Sequence, residues 1–144
     1  MLIGEYIHTI DDKNRISLPA KFRKEMGKSL VVLPWMDSCL AIFTEKEWTK
    51  MSSKLGDASM LQSDQRSFNR LMFGRAAEIG VDALGRVLIP DNLKEAIGLA
   101  GKAVLIGVQN RVEVWNEKKW TDYKKEIEKQ ADALAEKLGS VGVL

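Results

Sequence analysis

The chain has 144 residues, 45% apolar and 29% charged, with a formal net charge of +2; these are the proportions of an ordinary soluble globular protein, one domain or two small fused ones, able to bury about two thirds of its unfolded surface without a staple. No apolar run reaches the roughly 18 residues of a membrane-spanning helix, and the opening MLIGEYIHTIDDK lacks the basic stretch and long apolar core of a secretory signal. One cysteine, Cys39, and one histidine, His8, exclude a disulfide framework, a two-histidine metal site and a histidine relay, and a cytoplasmic location fits the single thiol.

In chain order, Glu5–Ile10 and Arg15–Leu18 read as strands joined by the turn DDKN. Asn14 ends that turn and tolerates a left-handed backbone, so a type I turn followed by a bulge is expected. Asp11 leads it, placed to accept hydrogen bonds from turn amides two residues on. Asp11 and Asp12 are too few ligands for a hard cation, and both are read as turn-structuring. Pro19 ends the strand and opens a short helix, AKFRKEMG, closed by Gly27. SLVVL and CLAIF are the next strands, and Thr44–Glu47 is a capping box for a helix through Leu55. GDAS around Gly56 is the expected joint. Ser63–Ala76 reads as a connecting helix with Phe68, Leu71 and Met72 on one side.

The second half returns to the same plan. Ala77–Val81 and Arg86–Ile89 flank the turn DALG, led by Asp82 and ended by Gly85, the other residue type suited to a left-handed position. Pro90 opens DNLKEAIG, KAVLIGV and RVEVW are strands, and Asn116 caps a last helix running toward Leu138. That helix carries an apolar stripe of Ile127, Ala131, Leu134 and Leu138 that needs a surface to pack on. The frame Asp11-x-x-x-Arg15-x-x-x-Pro19 thus recurs 71 positions later as Asp82-x-x-x-Arg86-x-x-x-Pro90. GKSLVVL is echoed by GKAVLIG after 74 positions, and CLAIFTEKEW by RVEVWNEKKW after 72. Two copies of a unit that cannot bury its own sheet face imply an internal pseudo-dimer. Each hairpin is expected to pair with strands of the other copy and close the sheets into a small barrel without free edges. The expected fold is therefore α+β with a mainly β core: a pseudo-twofold, double-psi-like barrel with peripheral helices. Its parts are residues 1–56 as first repeat, 57–76 as connecting helix and 77–144 as second repeat.

Charge separates the copies. Lys13, Arg15, Lys21, Arg23, Lys24 and Lys28 face only Glu25 between residues 13 and 28, whereas Arg86, Lys94 and Lys102 face Asp91 and Glu95 in the matching stretch. The first copy is either a solvated helix face or a patch that attracts phosphate. The Asp-x-x-x-Arg frame has two readings as well. It is a surface ion pair of little energetic weight, or an arginine braced by its aspartate and pointing outward, where the guanidinium fork can clamp phosphate or the O6/N7 edge of guanine. On the second reading Lys13 and Asn14 add a phosphate ligand and an amide beside Arg15. Ala83 and Gly85 leave Arg86 alone in copy two, either touching nucleic acid or tying the copies together.

Enzyme machinery is absent from the pattern. His8 lies in a strand, Cys39 in an apolar run behaves as a small hydrophobe, and no Gly-rich phosphate loop occurs. No catalytic residue, metal, cofactor or small-molecule substrate is expected. Trp48 and Trp120, like Phe43 and Trp115, occupy matching positions and read as core or subunit contacts rather than base-stacking platforms.

GEYIHTIDDKNRISLPAKFR, DSCLAIFTEKEW, AAEIGVDALGRVLIP and AVLIGVQNRVEVWNEKKW resemble the MraZ family of bacterial transcriptional regulators across nearly the whole chain. The resemblance implies an AbrB-like swapped-hairpin barrel with both halves in one chain, and a ring-shaped homo-oligomer, octameric or larger. It also implies binding to double-stranded DNA at short repeats in the promoter of the division and cell-wall gene cluster, whose first gene encodes the regulator, and so a nucleoid-associated protein. DNA contact would fall on the Asp11–Arg15 and Asp82–Arg86 loops, with Lys13, Asn14, Lys21, Arg23 and Lys24 around the first. Asn14 stands where the family usually has Gly, and Arg75 in LMFGRAAE where a small residue is expected. Two other readings remain: an antitoxin-like dimer that binds DNA and a toxin protein, and an oligomeric assembly protein with no nucleic-acid role.

Overall fold

The computed structural model describes residues 1–144. In the first half lie β1 (Leu2–Thr9), β2 (Arg15–Ser17), α1 (Ala20–Met26), β3 (Ser29–Trp35), β4 (Cys39–Thr44), α2 (Glu45–Gly56) and α3 (Ser63–Arg75). The second half adds β5 (Ala77–Gly80), β6 (Arg86–Leu88), α4 (Asp91–Ala96), β7 (Lys102–Gln109), β8 (Val112–Asn116), α5 (Glu117–Lys129) and α6 (Ala131–Ser140). Apart from the C-terminal break described below, the order repeats as the duplicated sequence leads one to expect.

Antiparallel pairing builds a six-stranded sheet in the order β1-β7-β8-β4-β3-β5 and a separate ribbon of β2 with β6. The copies are interleaved, with β3–β4 and β7–β8 the pairs formed within one copy. β1 pairs with β7 from Leu2 opposite Gln109 to Thr9 opposite Lys102, β5 pairs with β3, and β2 with β6. Each turn therefore joins two legs that leave for different sheets, and beyond the turns only a Val81–Val87 bridge links a hairpin to itself. The architecture is α+β. The large sheet is open, with β1 and β5 as its edges, rather than hydrogen-bonded into the closed barrel expected from sequence.

Period-two alternation explains the layers. Leu30, Val32, Leu40, Ile42, Ala103, Leu105, Val112 and Val114 turn to one face and meet Ile16, Leu18, Val87 and Ile89 of the ribbon region, with Phe22 of α1 and Leu93 of α4. The opposite face presents Leu33, Ala41 and Phe43 to Met72 of α3 and to Trp48 and Met51 of α2, and Cys39, Val104 and Trp115 to Trp120 of α5. The ribbon and the two short helices thus lid one face, and the longer helices cover the other. Pro19 and Pro90 both take the N-cap position, one residue before the helices they open.

Two helical expectations need correction. Gln130, at φ −107° and ψ 6°, splits the predicted C-terminal helix into α5 and α6. α5 is held to the sheet by Trp120 and Tyr123, which stack around Trp115 at 5.2 and 5.0 Å between ring centroids. Residues 131–140 are all exposed, so Leu134 and Leu138 find nothing to pack on within the chain. In α3 Phe68, Leu71 and Met72 share one side as expected, and of the three only Met72 is buried. Thr44 does cap α2, its Oγ1 accepting from Glu47 N at 3.2 Å, but the Glu47 carboxylate turns to Lys50 instead of closing the box.

Candidate nucleic-acid interface

The ribbon sets its side chains by the same alternation. Ile16 and Val87 point inward and are 0% and 1% exposed. Their neighbours Arg15, Ser17, Arg86 and Leu88 take the outer side, with Arg15 opposite Leu88 and Ser17 opposite Arg86. Both arginines therefore share one face, on a diagonal across two adjacent strands.

Each is braced in the same way. Arg15 Nε donates to Asp11 Oδ2 at 2.8 Å, while Asp11 Oδ1 accepts from the backbone amides of Lys13 and Arg15 at 2.9 Å each. Arg86 Nε donates to Asp82 Oδ2 at 2.9 Å, and Asp82 Oδ1 accepts from the amides of Leu84 and Arg86 at 2.9 Å each. One carboxylate closes the turn with one oxygen and orients a guanidinium with the other. Because only Nε is engaged, the Nη edge of each fork stays free for a bidentate acceptor.

These contacts hold both aspartates below the ordinary value of 3.8, the backbone donation from Arg15 or Arg86 contributing most. A carboxyl whose folded pKa is depressed stabilises the fold above its unfolded value and loses that contribution as pH falls through the folded one. Between pH 8 and 5 the contribution of these groups is fully present, so they should leave the thermal midpoint unchanged with pH there and lower it as they protonate below about pH 4. The Asp11→Asn, Asp82→Asn double variant should show a shallower acid limb in melts. An acid limb identical to the unmodified protein's would exclude the brace.

The tips are gripped from the other copy. Asn14 and Gly85 sit at φ 61° and 79°. Asn14 O accepts from Ile89 N at 2.8 Å, and Gly85 O from Leu18 N at 2.9 Å. The Asn14 side chain is engaged twice: its Nδ2 donates to Asp91 Oδ1, and its Oδ1 accepts from Lys94 Nζ at 3.0 Å. Across the pseudo-twofold, Arg23 lies over Gly85 so closely that a Cβ there would come within 2.0 Å of Nη1, and that Nη1 reaches Leu84 O at 3.5 Å.

Lys13, Lys21 and Lys24 are exposed and form no ion pair, so the cationic surface around the first tip is not neutralised from within. Asp12 is exposed and takes no part in the turn's hydrogen bonds; Asp11 does that work alone. Where copy one has Lys13, copy two has Leu84, 68% exposed. The sequence reading missed Asp91 and Lys94 as partners of the tip.

Elsewhere the chain offers little chemistry. Cys39 is buried, its Sγ donates to Met36 O at 3.4 Å, and burial pushes the thiol well above its ordinary range. No three His, Cys, Asp or Glu side chains converge, and no helix is long and apolar enough to cross a membrane.

Fold and site together define a class: a duplicated α+β protein whose interleaved copies display two aspartate-braced arginines on a common ribbon. A family model described as "MraZ protein, putative antitoxin-like" matches the chain twice, at residues 1–71 and 72–139. The chain belongs to the MraZ family. A protein named transcriptional regulator MraZ from Clostridium beijerinckii is 42% identical over 143 residues, covering 99% of this chain and all of that one. Relatives of the same name from Moorella thermoacetica and Syntrophomonas wolfei are 41% and 39% identical, spanning 96% of both chains and 99% and 100%, respectively.

Proposed function

We propose that this chain is a transcriptional regulator that binds double-stranded DNA at short tandem repeats in the promoter of a division and cell-wall gene cluster, its own gene included. It does so as a ring-shaped homo-oligomer, octameric or larger, in the cytoplasm at the nucleoid. The observation that carries the reading is the pair of arginines on one ribbon face, each oriented by its aspartate and each with a free Nη edge. Arg15 is the principal reader, flanked by the unpaired cations Lys13, Lys21 and Lys24; Arg86 contributes less, beside a tip that carries exposed Leu84.

The swapped-hairpin barrel belongs to the same reading. Interleaved pairing of the copies supports the swap, and closure is by packing of the ribbon over the sheet rather than by a continuous hydrogen-bonded wall. On this view residues 1–56 and 77–144 are the repeats and 57–76 the connection between them. One subunit presents one strongly basic tip, too little for tight specific binding. Several tips at fixed spacing make the second contact effectively intramolecular when DNA repeats recur at about one helical turn.

Affinity should therefore fall steeply with salt, because several phosphates are neutralised together. In gel shifts of the promoter duplex, a log–log slope steeper than about −4 is expected. A slope near zero, or no shift at low salt, contradicts the proposal. The family description as antitoxin-like favours one second reading, a dimer that binds DNA together with a toxin protein. Mass in solution separates them: a ring of eight or more chains supports the first, a dimer the second.

A further inference from the structure

We infer that Asn14 is a positioning residue rather than a DNA-reading one: with Asp91 and Lys94 it forms a buckle through which the second repeat holds the tip that carries Arg15. The inference rests on the reading of the ribbon as the DNA-contacting edge. It also departs from the sequence-based assignment of Asn14 to the DNA contact.

Both ends of the amide make a contact to the other copy. The Nδ2 group donates to Asp91 Oδ1, and Oδ1 accepts from Lys94 Nζ at 3.0 Å. Both partners lie on α4, in the other copy, 77 and 80 residues away. The backbone adds a third fastening, Ile89 N to Asn14 O at 2.8 Å. Across the pseudo-twofold the design recurs with different parts. Arg23 stands on α1 where Lys94 stands on α4, 71 positions apart, and reaches the second tip at Leu84 O while covering Gly85. Each tip is thus held by a cation on the opposite copy's short helix. A guanidinium that must meet its acceptor in the correct geometry gains from a tip that is already fixed. Glycine at position 14 would satisfy the backbone but could not reach Asp91 or Lys94.

A reciprocal exchange tests this without altering net charge. Asn14→Asp alone sets two carboxylates against each other and should weaken binding of the full chain to the promoter duplex about tenfold. Combining it with Asp91→Asn recreates the pair in mirror image, with the new amide donating and the Lys94 contact kept, and should restore affinity to within about twofold. Thermal melting of the DNA-free protein should follow the same pattern, lowered by the single change and recovered in the double. If Asn14 touches DNA itself, the double variant keeps a carboxylate facing phosphate and stays as weak as the single one; that result overturns the inference. An unchanged affinity in Asn14→Asp overturns it too. Should the unmodified chain fail to bind the duplex, the proposed function fails, and the DNA-free melts alone then judge the buckle.

Discussion

Replacing Arg15 with alanine should reduce binding to the repeat-bearing promoter duplex by at least about 100-fold while leaving the mass of the protein in solution unchanged. The size of the effect comes from multiplication. One bidentate arginine contributes a modest discrimination, but every subunit of an assembly that touches the DNA loses the same contact. The fold should survive, because Arg15 points outward from the ribbon and the adjacent core position is filled by Ile16, which is 0% exposed. Arg86→Ala should cost less, since its surroundings offer Leu84 where the first tip offers Lys13. Asp11→Asn should fall between them, keeping the arginine but loosening its Nε brace. A variant lacking the Arg15 side chain that still shifts the duplex at unchanged salt would show that the reader lies elsewhere.

The largest effect on stability should come from a residue with no role at the site. Gly107 of β7 pairs with Gly4 of β1. A Cβ on Gly107 would lie 2.6 Å from Ile3 N and 2.7 Å from Leu2 C. Those are backbone atoms, so no rotamer change relieves the clash and β1 itself must move. That strand contributes Leu2 to the main core and Tyr6, whose ring meets Phe22 edge-on at 5.3 Å. Gly107→Ala should cost about 3 kcal/mol, lowering the thermal midpoint by about 10 °C. Gly56→Ala, at a helix position with nothing within 4 Å of the new Cβ, is the control and should melt close to the unmodified protein. If Gly107→Ala melts within a degree or two of it as well, β1 is not seated as described.

Local features were legible because short-range rules decide them. The Asp-x-x-x-Arg frames, the left-handed positions at Asn14 and Gly85, and the caps at Thr44 and Asn116 all follow from residues a few positions apart. The repeat also revealed that the copies interleave, since neither half can cover its own sheet. What escaped depended on distant partners. Asn14 read as a free amide at a loop tip, because Asp91 and Lys94 are remote in sequence and nothing in DDKN announces them. The helix break at Gln130 has no proline or glycine to mark it; the apolar stripe runs on past the point where the sheet ends.

Hydrogen-exchange mass spectrometry of the full chain, with and without the promoter duplex, is the most direct examination of the ribbon as the contact edge. Protection should concentrate in residues 11–18, extend more weakly to 82–89, and fade as salt is raised. A DNA footprint confined to α5 and α6, with both arginine turns exchanging as they do in the free protein, would contradict the account.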